Sequence, residues 1–184
     1  MKRSYLIAIL LSALAMFIWG AVYWMNPIAS AVFQVPEDDA QAQSALSEHF
    51  PNDGVYWVPG NMEHADSWKQ LHQAGPIALV SITHTGKDPM AASVMLFGFV
   101  HMIGYAILLL LLLRASSALR KTYLCRVQLM ALVGLILAFF TELGAMIWFY
   151  QPVAYSLLLV GYAFSVTLVG GAVLAIWVRE SADA

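Results

Sequence analysis

Four long apolar runs divide the chain, and they lie at 5–28, 91–113, 127–149 and 153–178. A helix needs about 20 residues to cross the ~30 Å hydrocarbon core of a bilayer, and each run is long enough to do so. In lipid, only a helix satisfies all its backbone polar groups within one segment. The pattern therefore predicts an all-α transmembrane four-helix bundle.

The segment between the first two runs has shorter, more polar patterns. In 36–50, apolar positions at helical spacing follow three acids, which indicates a helix. The stretches "VYWV" and "IALVSIT" are typical of strands, and Asn61 and Gly75 are placed between them to begin and end a second helix. Two strands joined across a helix predict a βαβ-like unit with a right-handed crossover. The bundle should thus carry a small α+β extracytoplasmic insertion between helices 1 and 2.

The insertion is too short to be more than marginally stable alone, so we expect it to rest on the ends of the helices through Tyr56, Trp57 and Trp68. The predicted organisation, in chain order, is transmembrane helix 1 over 1–33, an extracytoplasmic (periplasmic) α+β domain over 34–89, transmembrane helix 2 over 90–113, a cytoplasmic loop over 114–126, transmembrane helix 3 over 127–150, transmembrane helix 4 over 151–178 and a cytoplasmic tail over 179–184.

Charge gives the orientation. Seven of the nine basic residues flank the apolar runs on one side, at Lys2, Arg3, Arg114, Arg120, Lys121, Arg126 and Arg179. The segment 34–89 holds eight of the eleven acids and only two basic residues. The positive-inside rule therefore places both termini in the cytoplasm. The compact four-span design, without eukaryotic sorting signals, favours a bacterial inner membrane with 34–89 in the periplasm. Nothing in the charge pattern indicates nucleic acid as a partner.

The N-terminus resembles a secretory signal. "MKRSYLIAILLSALA" has a basic start, an apolar stretch and an Ala-x-Ala ending. The apolar run continues well beyond this point, through "MFIWGAVYW", which is long for a signal and suitable for a membrane anchor. We therefore expect an uncleaved first helix.

Neither a metal nor a cofactor is predicted. Cys125 is the only cysteine, so dithiol chemistry and an intramolecular disulfide are excluded. His49, His64, His72 and His84 lack ligand-type spacing, and only His101 lies within a span, which disfavours a haem held by two histidines.

Glu142 is the most unusual residue of the apolar runs, since it lies within "FFTELGAMIWFY". At 100° per residue, it shares one helix face with four small residues, Ala131, Gly134, Ala138 and Ala145. Small residues mark where membrane helices approach closely, so Glu142 should face the bundle. In helix 2, Gly98, His101, Gly104 and Tyr105 cluster in the same way.

The depths of His101 and Glu142 are similar, at about 16 Å and about 12 Å from the outer helix ends. We therefore expect an intramembrane polar site in which the two residues bond directly, through Tyr105 or through water. Ionisable groups within a span are rare and often functional. Three interpretations stay open: a proton-handling or ligand-anchoring site, a structural clasp between helices 2 and 3, and a neutral glutamic acid bonded to a backbone carbonyl.

Other residues are predicted to serve packing and the membrane interface. Gly161 and Ser165 form a small-xxx-small pair in helix 4. Aromatic residues cluster at the outer ends of helices 1 and 3, where such side chains form interfacial belts: Tyr23, Trp24, Trp148, Phe149 and Tyr150. Trp57 and Trp68 are expected to join them from the insertion.

Four stretches carry a resemblance to a known group of proteins: "FIWGAVYW", "GVYWVPG", "GPIALVSI" and the "DPM" that leads into helix 2. They look like a family of small bacterial four-span inner-membrane proteins with an extracytoplasmic loop domain and no known activity. The resemblance implies the same topology and compartment, and it carries over no site residues.

The sequence predicts a non-catalytic integral membrane protein. It would be an accessory, assembly or scaffold subunit that contacts a membrane-protein partner, or further copies of itself, within the lipid bilayer. The absence of a nucleotide, metal or nucleophile motif supports this interpretation. The alternative is a small membrane enzyme or carrier that acts on a lipid, quinone or proton-coupled solute through Glu142 and His101.

Overall fold

A computed structural model describes residues 3–61, 63–116 and 122–178 of the chain. The structure is mostly helical, and four of its helices are long and apolar enough to cross a membrane, as predicted. They are α1 (Arg3–Trp24), α5 (Ala92–Ala115), a third span (Tyr123–Trp148) and α8 (Val153–Trp177). The predicted tail 179–184 and residues 117–121 of the predicted cytoplasmic loop lie outside the described residues.

The first span ends earlier than its apolar run. Asn26 follows α1, and its side-chain oxygen accepts hydrogen bonds from the backbone N–H groups of Ile28 and Ala29, at 2.8 and 3.0 Å. This cap begins a short second helix, α2 (Pro27–Val32), whose first residue is a proline with no N–H to satisfy. The run up to residue 28 therefore contains a helix end and a new helix start.

α8 packs against α1, α5 and α6 (Tyr123–Ala138), the first part of the third span, and α1 also packs against α5. Two adjacent glycines of α8 allow this close approach. A Cβ atom on Gly170 would collide with the Met16 side chain of α1, and one on Gly171 would collide with the Met130 side chain of α6. Met16 and Met130 are fully buried. The side chains of Met16 and Met130 thus occupy the space beside α8 that Gly170 and Gly171, which have no side chain, leave open.

The third span is not one regular helix. It consists of α6 (Tyr123–Ala138), a π-helical turn (Phe139–Leu143) and α7 (Gly144–Trp148). A π turn inserts an extra residue into a helix, and such turns occur frequently at functional sites. The residues after it are rotated relative to those before it.

The segment between α1 and α5 folds as α3 (Asp39–His49), β1 (Gly54–Val58), α4 (Ala65–Ala74) and β2 (Ala78–Ile82). All four predicted elements are present, but the strands pair antiparallel, with Gly54 opposite Ile82 and Val58 opposite Ala78. The predicted right-handed βαβ-like unit is therefore wrong. Since Val58 and Ala78 are neighbours, the connection 59–77 leaves and re-enters the sheet at the same end. The helix α4, about 15 Å long, lies within that connection.

α4 begins later than predicted. The Asn61 side chain accepts a hydrogen bond from the Glu63 backbone N–H at 3.1 Å, and the helix starts only at Ala65. Gly75 ends α4 as expected, with a φ of 66° that favours glycine and an N–H that bonds to the Leu71 carbonyl oxygen at 3.0 Å.

Asp53, just before β1, is linked to His84, just after β2, at one end of the sheet. Its Oδ1 accepts a hydrogen bond from the His84 backbone N–H at 2.8 Å and lies 2.9 Å from His84 Nδ1. These bonds, chiefly the backbone one, hold the pKa of Asp53 below its ordinary value of 3.8. A carboxyl with a lowered pKa stabilises the folded state above that value, and this contribution is lost as the pH falls through the lowered pKa.

We therefore expect Asp53→Ala to loosen the end of β2. Hydrogen exchange of the His84 amide should become severalfold faster at neutral pH. In the unmodified protein the same amide should lose protection as the pH falls below 3.8. Asp39→Ala, which removes an exposed acid from the first turn of α3, is the matched control and should leave this amide unchanged. Equal exchange in both variants would contradict the assigned role of Asp53.

Aromatic contacts join the β1–α4 region to the end of the third span. The rings of Trp57 and Phe149 lie 5.8 Å apart, and those of His72 and Tyr150 lie 5.3 Å apart. Of the three aromatic residues expected to dock the insertion, Trp57 makes such a contact. Tyr56 packs instead on Phe50 of its own segment. We call this end of the four spans, nearest β1 and β2, the sheet-proximal end.

Candidate functional site

Glu142 lies in the π-helical turn, and its side chain is half-buried. The neighbouring Thr141 hydroxyl lies 2.9 Å from Glu142 Oε1 and 2.7 Å from the Leu137 carbonyl oxygen. The single hydroxyl proton is shared between these two acceptors, and both acceptors belong to the third span. Among the described residues, no side chain from another helix bonds to the Glu142 carboxyl.

His101 lies at an exposed position of α5. No hydrogen bond in the described ranges joins it to Glu142, so the structure does not bring the predicted pair together within one chain. The packing explains why, because α8 contacts both α5 and α6. Tyr105, the predicted bridge, makes its hydrogen bond to Thr167 of α8 instead.

The π turn is a second reason for this difference. A regular helix would place Glu142 and Ala145 on the same face as Gly134 and Ala138. Gly134 and Ala138 are buried, as expected, and Ala131 is half-buried. An inserted residue turns the later side chains by about 100°, the angle between neighbours in a helix. Glu142, within the turn, and Ala145, after it, accordingly lie at half-buried positions.

Polar side chains from α1 and α5 bond to α8 along its length. Ser12 Oγ donates to the Gly170 carbonyl oxygen (2.9 Å), Trp19 Nε1 donates to Ser165 Oγ (2.9 Å), Tyr23 Oη donates to the Leu158 carbonyl oxygen (2.8 Å), and Tyr105 Oη lies 2.7 Å from Thr167 Oγ1. Thr167 gives its own hydroxyl proton to the Ala163 carbonyl oxygen at 2.7 Å, so Tyr105 is the donor of the last bond. These polar groups hold helices together.

Arg126 of α6 lies beside the C-terminal end of α8, and its side chain is buried. Its Nε donates to the Ala175 carbonyl oxygen at 2.9 Å. The last carbonyls of a helix have no partner within it, and a cation there complements the helix dipole. Arg126 thereby caps the end of α8.

The remaining predicted packing residues have mixed environments. A Cβ atom on Gly161 would collide with the Tyr23 hydroxyl, so the absence of a side chain at Gly161 leaves room for the Tyr23 ring. Gly98 lies beside Phe17, with 3.6 Å from its ideal Cβ position to Phe17 Cε2, whereas Gly104 has open space around it. Gly161 and Ser165 thus contribute to the α1–α8 contact.

The predicted interfacial aromatic residues form two groups. Tyr23 and Trp24 both pack on Tyr162 of α8, with ring centroids 5.3 and 5.1 Å apart. Trp68 packs on His72 at 5.0 Å and donates from Nε1 to the Pro59 carbonyl oxygen. Trp148 is 75% exposed.

A cavity of about 460 Å³ opens at the sheet-proximal end. It is lined by residues 77–79 at the start of β2, by Ala145 of α7, by the connection 149–152, and by Tyr155 of α8. The connection is strained, because Tyr150 adopts a φ of 53°. A bulky residue in the left-handed region costs on the order of 1 kcal/mol, and such strain clusters at functional sites.

Three buried polar atoms at this end lack a hydrogen-bond partner among the described residues: Trp57 Nε1, Gln151 Oε1 and Ser156 Oγ. Gln151 also lines the cavity. The sequence predictions did not include Gln151 or Tyr155, and they assigned Phe149 only to the interfacial aromatic cluster. The one available signal was a polar residue before a proline in the very short connection between two apolar runs.

Within residues 3–61, 63–116 and 122–178, no group of three or more His, Cys, Asp or Glu residues is arranged to hold a metal ion. The candidate site is therefore described by the hydrogen bonds and contacts of its polar side chains. No protein-family model, curated protein or solved structure matches this chain.

Proposed function

We propose that this chain is a non-catalytic, multi-pass protein of a bacterial inner membrane, an accessory or scaffold subunit that assembles with further copies of itself. Its four spans would form a bundle, with both termini in the cytoplasm and residues 34–89 in the periplasm. The clustering of seven of the nine basic residues outside 34–89 supports this orientation.

One observation carries the proposal. Two ionisable side chains deep within the spans, His101 and Glu142, have no hydrogen-bond partner from another helix among the described residues, while Ser12, Trp19 and Tyr105 bond to α8. Ionisable groups in a membrane pair with one another, because an unpaired charge in hydrocarbon is costly. A second copy of the chain can supply each group with the partner it lacks.

The two groups are at compatible depths for such a contact. Measured from the sheet-proximal end, His101 lies about 14 Å along α5 from Ala92, and Glu142 lies about 9 Å along the third span from Trp148. The difference of about 5 Å is within the combined reach of the two side chains. We propose a head-to-tail contact, in which the His101 surface of one copy meets the Glu142 surface of the next; such contacts generate a ring or an open chain of copies.

The environment of Glu142 suits an interface. Phe139 and Phe140 beside it are 72% and 80% exposed, and Thr141 holds the carboxyl in place. The separation of His101 from Glu142 within one chain favours assembly over the alternative, a membrane enzyme or carrier that uses both groups in a single bundle.

Cysteine crosslinking between copies tests the proposal. In a Cys125→Ser background, one tagged copy would carry His101→Cys and a second, differently tagged copy would carry Glu142→Cys. Oxidation in native membranes should give a disulfide-linked dimer only when both copies are present. A single chain with both substitutions should not form an internal disulfide.

The matched control replaces His101→Cys by Leu108→Cys, which lies at a similarly exposed position of the same helix, about 10 Å farther from the sheet. It should give little dimer with Glu142→Cys. Equal crosslinking from residues 101 and 108, or none from residue 101, would contradict a head-to-tail contact between His101 and Glu142.

A further inference from the structure

A groove of about 450 Å³ separates α3 from β2 in the segment between the first two spans. One wall is a face of α3, where Gln43, Leu46 and Ser47 have the spacing that puts residues on one side of a helix. The other wall consists of residues 81–84, at the end of β2 and just after it. Among the described residues of α3 none is buried, so the helix flanks the sheet without closing over it.

The groove follows the free edge of β2. Neighbouring side chains of a strand point to opposite faces of the sheet, so a groove lined by four consecutive residues runs along the edge of the strand. This edge is the one away from β1, since no residue of β1, which is described in full, contributes to the walls. The described sheet has two strands only. Alternate residues of β2 therefore direct their N–H and C=O groups away from β1 and towards no further strand.

The edge of β2 lacks the features by which exposed strands avoid pairing. Such strands carry lysine, proline or an inward-pointing charge. β2 has the sequence "ALVSI", which contains none of these. Its unpaired backbone groups select an extended peptide as the partner, because an extended chain can bond to them in register. Leu46 and the half-buried Ile82 add apolar surface for every second side chain of that peptide.

Charge determines the sign that the partner must carry. The segment 34–89 holds eight acids against two lysines, an excess of six negative charges with the histidines neutral. Asp39 and Glu48 lie on α3 itself, which has no lysine or arginine, and both are exposed. A second copy would bring the same excess of negative charge, so like charges oppose the pairing of two β2 edges. A cationic segment is attracted instead, and more strongly at low salt.

We propose that an extended, positively charged segment of another protein adds to β2 as a third strand, in the groove beside α3. Its backbone bonds to the free edge of β2, its apolar side chains pack on Leu46 and Ile82, and its basic side chains face the acids of the segment 34–89. This contact goes beyond the proposed assembly through His101 and Glu142. It shares no residue with that assembly and does not depend on it.

The test uses the full chain in nanodiscs of zwitterionic lipid, with a single copy in each disc. The probe is a fluorescent heptapeptide in which lysine alternates with valine, and fluorescence anisotropy would measure its dissociation constant, with empty discs as the baseline. The same peptide with glutamate in place of lysine should bind at least about tenfold more weakly, because the acidic segment repels it. This difference should narrow as salt screens the charges.

Methylation of the peptide backbone distinguishes an added strand from simple charge attraction. In a strand at the edge of a sheet, alternate N–H groups bond to the neighbouring strand and the others point away from it. Methylation of one alternating set of amide nitrogens should therefore weaken binding at least about tenfold, while methylation of the other set should leave binding nearly unchanged. Equal effects of the two methylation patterns would overturn the proposal.

Leu46→Arg should weaken binding of the lysine peptide about tenfold, because it places a cation in the groove. Leu71→Arg is the matched control, since it makes the same change of charge at an exposed position of α4, outside the groove, and it should have a much smaller effect. Thermal unfolding would show that both variants fold. Equal binding of the lysine and glutamate peptides, or equal losses in the two variants, would contradict the proposal. Loss of binding when a disc holds two copies would also contradict it, by assigning the edge to a second copy.

Discussion

Replacing Gly134 by leucine is expected to lower the free energy of unfolding by about 3 kcal/mol, in the upper range for overpacking a close contact. A Cβ atom on Gly134 would lie 3.0 Å from the Phe164 carbonyl oxygen and 3.2 Å from the Phe164 Cα atom. Both are backbone atoms of α8, so the side chain can fit only if α8 moves away from α6. That movement would also disturb the contact with α1, which packs against the same helix.

Unfolding by titration with a denaturing detergent, followed by tryptophan fluorescence, would measure the loss. Gly144→Leu is the matched control, because Gly144 lies in the same span and nothing lies within 4 Å of its ideal Cβ position. The control should change stability far less. Equal losses in the two variants would contradict the α6–α8 packing.

Glu142→Leu is expected to weaken self-association by about tenfold or more. A hydrogen bond between membrane helices contributes about 1–2 kcal/mol, and the substitution also leaves the His101 of the neighbouring copy without its partner. The isolated chain should remain folded, since the Glu142 carboxyl bonds only to Thr141 among the described residues. Glu142→Gln keeps a group that bonds to His101 and should have a smaller effect.

Energy transfer between donor-labelled and acceptor-labelled copies in lipid vesicles would measure this association at varied protein-to-lipid ratios. Gln128→Leu is the matched control, because it removes another polar side chain from an exposed position of the third span. An association constant for Glu142→Leu equal to that of the unmodified protein would show that the carboxyl lies outside the interface.

The spans could be predicted because their signal is local and strong. Long apolar runs and backbone hydrogen bonding in lipid are enough to identify them. Some helix ends could also be predicted. Gly75 at the end of α4 is an example, since a positive φ favours glycine. The pairing direction of β1 and β2 could not, because it depends on the path of the whole connection and not on either strand.

The environment of Glu142 was harder to predict for a related reason. Helical spacing gave the correct face for Gly134 and Ala138, but a π turn has no clear sequence signal, and it changed the direction of Glu142. Ser165 and Tyr105 were recognised as small or polar groups within the spans. Their partners could not be identified, because these depend on α8 lying against both α1 and α5.

The cavity was not predicted at all. It is built from residues that are distant in the chain, and its most informative atom, Gln151 Oε1, is distinctive only because it is buried without a partner. Burial of one side-chain atom is a property of the packed structure. A sequence shows only that a glutamine precedes a proline.

The most direct test of the proposed assembly is complementation between two variants. Copies with Glu142→Leu keep the His101 surface, and copies with His101→Leu keep the Glu142 surface. In lipid vesicles, each variant alone should show weak energy transfer, whereas a mixture of the two should recover strong transfer by forming dimers that cannot grow further. Recovery in the mixture is the predicted result. Strong transfer within either variant alone, or no recovery on mixing, would contradict a His101–Glu142 contact between copies.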